Sequence, residues 1–265
     1  MDYPFADRAA EDERLIAQGR VFDPLTRRVL AEAGLAPGMR VLDLGSGAGN
    51  VARLAAERVG EDGSVVGVER DPAAIDLARR RTDAANVEYR EGDVRALDGI
   101  GDGFDAVIGR LVLMYQPDPV EVLRQAAARL RPGGLLCMHE GDFAYDWACP
   151  QTPLWRQIRE WVLETLEKAG IEARMAQSLF SSFRAAGLPG PSMLVEAYAA
   201  GGSEAPAWGY ANVVAGVVPV MEKLGVATEA EVEPATLADR LLAETLAADG
   251  CVIGPPLTGA WTTVP

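Results

Sequence analysis

The stretch Val41-Leu42-Asp43-Leu44-Gly45-Ser46-Gly47-Ala48-Gly49-Asn50 constrains this chain more than any other. A short apolar run enters Gly-x-Gly-x-Gly, and Val51, Leu54, Ala55 and Val59 then recur at helical spacing. The glycines allow a tight turn and let a ligand approach the backbone. The helix that follows offers free N–H groups at its N-terminus. In doubly wound sheets, ligands bind at the carboxyl ends of the strands, where this loop stands. Asp43 sits just before it. A carboxylate would repel a phosphate cradled there, so the expected ligand carries a cation rather than a pyrophosphate.

The rest of the first half alternates in the same way. Residues 11–19 and 24–34 read as two helices, the second stopped by Gly34. Strands are expected at 39–44, 65–69, 87–90, 104–108 and 135–138, and helices at 50–59, 72–81 and 118–130. Asp71-Pro72 and Asp118-Pro119 are cap-plus-proline starts. A further helix is open between the third and fourth strands. This order predicts an α/β fold, a doubly wound, mostly parallel sheet with helices on both faces. Beyond residue 140, helices are expected at 152–169, 174–186, 206–224 and 234–248. A strand is expected at 193–199, with an edge strand near 258–264. The whole reads as one domain: N-terminal helices in 1–36, a ligand-binding half in 37–140 and a second half in 141–265.

Composition narrows the partners. Lys and Arg number 25 against 39 Asp and Glu, a net charge of −14. Nucleic acid and anionic membranes bind basic patches, so neither is expected as a partner. From Glu196 onward there are nine acidic and two basic residues, so half of the net charge lies in the last 70. No signal peptide is evident, and the apolar stretch at 211–221 is too short to span a bilayer. Cys137, Cys149 and Cys251 have no paired spacing and are expected as free thiols in a cytoplasmic protein. A single histidine, His139, argues against a multi-histidine metal site, and no metal is expected.

Three acids complete a pattern. Asp43 precedes the loop, Glu69 ends the second strand 24 residues after Gly45, and Asp93 follows the third strand in EGDV. Glu69 is placed to accept from ribose hydroxyls. VLDLGSGAGN, VVGVERD, EGDV, FDAVIGRLVLMYQPDP and LRPGGLL, in this order, resemble the class I S-adenosylmethionine-dependent methyltransferases. The nearest likeness is to the ubiquinone/menaquinone-type small-molecule branch. The resemblance covers about residues 37–140. It implies a seven-stranded Rossmann-like sheet with added lid helices, and S-adenosylmethionine as cofactor. It also implies roles. Asp43, Gly45, Ser46, Gly47 and Asn50 would surround the methionine part. Glu69 would take the ribose, Arg70 would flank the adenine, and Asp93 with the Val94 N–H would fix its edge. Arg110, and Gln18 of the N-terminal helix, are candidates for the cofactor carboxylate end. The family often has Asn or His where this chain has Arg110 and Tyr115, which leaves the acceptor contacts open.

Methyl transfer from a sulfonium is a displacement, so positioning supplies most of the catalysis. A base is needed only where the acceptor must lose a proton. His139 is the first candidate, and Glu140, Asp142 and Tyr115 are the others. Each also has a structural reading, as a strand-end hydrogen-bonding group, a rim residue or a cap. Phe143, Tyr145, Trp147, Trp155 and Trp161, with Trp208 and Tyr210, are expected to line an acceptor pocket, to pack the added helices or to form a homodimer interface. The expected acceptor is a small organic molecule, a secondary metabolite or quinone-like compound. The alternatives are a cofactor-binding protein with a non-methylating reaction such as a cyclisation, and a nicotinamide dehydrogenase. The latter prefers G-x-G-x-x-G, whereas the third glycine here comes one residue early.

Overall fold

The computed structural model describes residues 8–145 and 152–265. Its helices are α1 (Arg8–Glu32), α2 (Asn50–Val59), α3 (Pro72–Arg81), α4 (Pro119–Ala128), α5 (Pro153–Lys168), α6 (Met175–Ala185), α7 (Ala207–Lys223), α8 (Glu229–Val232) and α9 (Pro234–Ala247). Its strands are β1 (Arg40–Leu44), β2 (Ser64–Glu69), β3 (Val87–Glu91), β4 (Phe104–Arg110), β5 (Leu130–Gly141), β6 (Ser192–Glu196), β7 (Ala199–Gly201), β8 (Cys251–Ile253) and β9 (Leu257–Thr263). The chain divides into two compact units. A sheet unit holds Phe22–Gly141, Arg174–Glu196 and Leu257–Pro265. A helical unit holds the described residues of Met1–Val21, Asp142–Ala173 and Ala197–Pro256.

The sheet unit carries seven strands in the order β3-β2-β1-β4-β5-β9-β6. β3, β2, β1, β4 and β5 pair in parallel, and β9 runs antiparallel to both of its neighbours. Strand order therefore reverses direction between β1 and β4, the switch point at which doubly wound sheets open a crevice. β1 enters the glycine loop at that point. Val41, Val65, Ala106, Ile108, Leu135 and Cys137 share one core with Val29 and Leu30 of α1 and Val51, Leu54, Ala55 and Val59 of α2. Alternation along a strand then places Asp43, Arg110 and His139 on that same face, two residues beyond Val41, Ile108 and Cys137. Asp71 and Asp118 cap α3 and α4, accepting from the N–H groups of Ala73 and Glu121 at 3.0 Å each.

Several local expectations are corrected. The two N-terminal helices are one, α1, with Pro24 inside it. Proline removes one N–H donor but its φ is already helical, so a turn can continue through it. No helix forms between β3 and β4. Leu97 has φ 56°, and Gly99, Gly101 and Gly103 also have positive φ, which breaks a helical run. α4 ends at Ala128, and Leu130 already belongs to β5. The run 193–199 is split: β6 joins the large sheet and β7 pairs with β8 in a separate ladder. β9 is not an edge strand, because it lies between β5 and β6. Its Gly259 faces α1, where an added Cβ would stand 2.5 Å from Val29 Cγ1. An apolar run reads alike at an edge or inside, and only the return of β6 settles which it is.

The helical unit has its own core. Trp155, Ile158, Val214, Met221, Leu237, Leu241 and Val252 are all but inaccessible. Trp155 meets Tyr210 edge to face, with centroids 5.0 Å apart, and donates from Nε1 to Thr245 Oγ1 at 3.0 Å. The Tyr210 hydroxyl donates to the Ile253 carbonyl at 3.0 Å. These rings pack the added helices, and Trp161 lies half-buried against the same core. Trp147, Cys149 and the side chain of Trp208 lie outside the described residues. Cys137 is a free, buried thiol, and Cys251 is exposed. No helix among the described residues is long and apolar enough to cross a membrane. None of their acids, cysteines or His139 form a cluster fit for a metal ion.

Candidate functional site

The loop after β1 takes three left-handed glycines, Gly45, Gly47 and Gly49, with φ of 59°, 50° and 79°. Only glycine adopts these without strain. Their close approaches differ. A Cβ on Gly45 would stand 2.9 Å from Val112 Cγ2, and one on Gly49 would run into the Tyr89 hydroxyl. Gly67 of β2 makes room for the same ring, 2.7 Å from Tyr89 Cδ1 by its missing Cβ. Tyr89 thus props the loop from β3, its hydroxyl 2.8 Å from Thr82 Oγ1. Arg81 at the end of α3 donates to the Ala48 carbonyl (2.7 Å) and to Asn50 Oδ1 (2.9 Å). Neither prop is apparent from motif spacing.

Glu69 ends β2 with its carboxylate bound to backbone. Oε2 accepts from the Gly47 N–H at 3.0 Å, and Oε1 accepts from Arg70 and Asp71 at 2.8 and 3.0 Å. Each carboxylate oxygen has two lone pairs, so capacity remains. Asp93 is half-exposed, and the Arg95 guanidinium bonds both of its oxygens. That bond, and the Arg95 charge with it, holds the Asp93 carboxyl below its usual range. Val94 is buried beside it. Arg70 is exposed.

Asp43 is different. It is 1% exposed, and neither carboxylate oxygen has a hydrogen-bond partner. Burial pushes its pKa up to about 8, against the pull of the Arg110 guanidinium. Ser46 Oγ is likewise buried and unpartnered. A buried polar group normally finds a partner, so this pair of residues marks a place where a ligand with N–H or O–H donors fits.

β4 and β5 bring a second cluster to the same face. Arg110 and His139 stand opposite each other in register. Arg110 Nη1 donates to Asp23 Oδ1 at 2.9 Å and to Thr26 Oγ1 at 2.8 Å, both from α1. Thr26 Oγ1 lies 3.2 Å from His139 Nδ1. His139 is 2% exposed and its Nε2 has no partner. Burial, then the nearby Arg110 charge, lowers its pKa to about 3. Asp23 and Thr26 were not read from the sequence. The available signal was Arg110 itself, since a cation at a buried strand end requires an anion.

Glu140 alternates to the other face of β5. Oε1 accepts from the N–H groups of Val112 and Leu113 at 2.9 and 2.8 Å, while Oε2 is buried and unpartnered. Burial pushes its pKa up to about 7, against those backbone donors. Leu111, in the left-handed region at φ 53°, turns the chain after β4 so that these N–H groups meet the carboxylate. Tyr115 ends the short 3-10 turn that follows, half-buried. The sheet unit therefore holds every expected site residue except Gln18, a half-buried residue of α1, and Asp142, both in the helical unit.

A family model described as a methyltransferase domain matches residues 35–178, more than half of the chain. An arsenite methyltransferase of Halobacterium salinarum is 37% identical over 134 residues, 49% of this chain and 34% of that protein. A 2-phytyl-1,4-naphtoquinone methyltransferase of Synechococcus elongatus is 36% identical over 135 residues, 48% of this chain and 54% of that protein. The matches thus span from about a third to about half of these relatives' length. A solved structure of a proposed methyltransferase from Bacillus halodurans C-125 superposes with a TM-score of 0.56 at 16% identity, covering 91% of this chain and 98% of the other, which is a likeness of fold.

Proposed function

The chain belongs to the methyltransferase domain family, and from that premise we propose that it transfers a methyl group from S-adenosylmethionine to a small uncharged or cationic organic acceptor. A quinone-like compound or secondary metabolite is the class we favour, in keeping with the naphthoquinone enzyme among its relatives. The observation that carries the reading is Asp43. A buried carboxylate with two unpartnered oxygens calls for positive charge and hydrogen-bond donors. The cofactor's ammonium meets that demand, and a pyrophosphate would not. Ser46 Oγ has spare capacity beside it. Glu69, already ordered by three backbone donors, keeps one lone pair on Oε2 for a ribose hydroxyl. The roles of Gly45, Gly47, Asn50, Arg70, Asp93 and Val94 follow as the family resemblance implies.

S-adenosylmethionine supplies a methyl group already activated on a sulfonium. The chain's task is to hold donor and acceptor in line and to manage the acceptor's proton. His139, with its pKa near 3, is neutral at pH 7 and offers a hydrogen-bond acceptor rather than a proton store. With a donor and acceptor bound, Nε2 would accept a hydrogen bond from the acceptor's protic group and hold the acceptor atom in line. Glu140 holds the turn at 112–113 from the other face of the sheet.

Turnover decides the reading. Incubation with methyl-labelled cofactor and a panel of phenols, quinols and amines is expected to yield labelled product and S-adenosylhomocysteine. Cofactor binding with no product across the panel would sink it. His139→Ala is expected to cut turnover by about 100-fold or more while leaving S-adenosylhomocysteine affinity unchanged. Wild-type turnover would return His139 to a structural role. Glu69→Ala is expected to weaken S-adenosylhomocysteine binding roughly 10- to 100-fold, the worth of a charged hydrogen-bonding group. An unchanged affinity by calorimetry would remove the ribose assignment.

A further inference from the structure

Thr26 stands on α1 with its hydroxyl at the centre of three contacts. It donates to the Phe22 carbonyl at 2.9 Å, accepts from Arg110 Nη1 at 2.8 Å, and has His139 Nδ1 at 3.2 Å. A hydroxyl has one proton and two lone pairs, and a guanidinium only donates. With its proton on Phe22 and one lone pair on Arg110, the third contact closes only if Nδ1 carries the hydrogen. The other tautomer would take the proton from Phe22. It would also bury an Nε2–H with no acceptor, a costly arrangement.

We propose that Thr26 is a positioning residue that holds His139 as the Nδ1–H tautomer, so that the bare Nε2 accepts a hydrogen bond from a neutral protic group of the methyl acceptor. Nε2 is buried and lacks a protein partner, which is the demand such a group meets. The group is neutral because Asp23 is already paired with Arg110 in this cluster and has no charge to spare for an ammonium. The inference rests on the methyltransferase reading of the same site and narrows it to acceptors that bear O–H, N–H or S–H.

The chain has a single histidine, so its ring can be read without overlap. Nitrogen-15 labelling of histidine in the full chain, with proton–nitrogen correlation spectra of the ring near pH 7, reports the tautomer directly. A protonated Nδ1 and a bare Nε2 are expected, and an Nε2–H or an imidazolium would overturn the proposal. Thr26→Ser is expected to keep that spectrum, and Thr26→Val to lose the single tautomer while melting as a folded protein. A Thr26→Val ring unchanged from wild type would also overturn it. Saturation with S-adenosylhomocysteine is expected to leave the Nε2 resonance in place. A large Nε2 shift would assign the position to the cofactor's amino group instead. These spectra need no turnover, so a failed tautomer leaves the methyltransferase reading standing, and a failed turnover assay does not alter the tautomer.

Discussion

Asp43→Asn is expected to stabilise the protein at neutral and alkaline pH while removing tight cofactor binding. The native carboxyl, 1% exposed and unpartnered, has its pKa raised to about 8 from an ordinary 3.8. The folded state therefore holds a proton that the unfolded chain releases near pH 4. Where the folded state binds more protons, stability falls as pH rises. The loss begins near pH 4, grows to about pH 8 and then levels off at a value on the order of 5 kcal/mol. Asparagine, neutral throughout, escapes it. Thermal melts of the two proteins should thus converge near pH 4 and separate progressively toward pH 8, with the variant higher by several degrees. His139 contributes an opposite slope: its folded pKa is lowered to about 3, so stability is lost as pH falls below about 6.5, where the unfolded ring protonates. That slope is common to both proteins and cancels in the difference. Binding is expected to move the other way. An ammonium against Asp43 favours the ionised form, so S-adenosylhomocysteine should displace close to one proton near pH 7. Calorimetry in buffers of different ionisation enthalpy measures this. The variant should release none and bind about 100-fold more weakly or worse, the consequence of breaking a buried charge pair. A variant with native affinity would end the assignment of Asp43 to the cofactor.

Gly49→Ala is expected to be the most damaging single methyl in the loop. Its φ of 79° disfavours any side chain, and its added Cβ would collide with the Tyr89 hydroxyl and lie 3.2 Å from Ala78 Cβ. Tyr89 is 5% exposed and held by Thr82, so the ring has little room to retreat. Backbone strain and overpacking each cost about 1–3 kcal/mol, and together they predict a loss of about 2–6 kcal/mol in denaturant unfolding. The loop N–H groups and Asn50 would shift with the backbone, so cofactor affinity should fall as well. Tyr89→Phe in the Gly49→Ala background is expected to recover the collision part and leave the left-handed part. Full additivity of the two changes in a double-mutant cycle would show that the hydroxyl is not the obstacle.

How far the site was legible depends on how local each signal is. Asp43, the three glycines and Glu69 lie in one strand-loop-helix-strand passage, and their placement follows from backbone conformation that short segments specify. Asp93 was legible as an acid after β3, yet its carboxylate is bound by Arg95, two residues away, a contact that motif matching does not weigh. Thr26 and Asp23 were invisible because α1 reaches the ends of β4 and β5 only through packing across some 80 to 115 residues of sequence. Glu140 was legible as a second candidate base after His139, but alternation along β5 turns it to the opposite face.

By itself the sequence determined the parallel sheet and the position of the glycine loop with the acids that flank it. Apolar runs, glycine turns and proline caps act within a few residues and leave little choice of local conformation. Tertiary structure alone decided that β9 is interior, that Tyr89 and Arg81 support the loop, and that Arg110 is neutralised from α1. It also decided that Asp43 and His139 are buried enough for their titration to move by several pH units. Burial removes water from a charge only when distant segments close over it, and no local pattern records that closure.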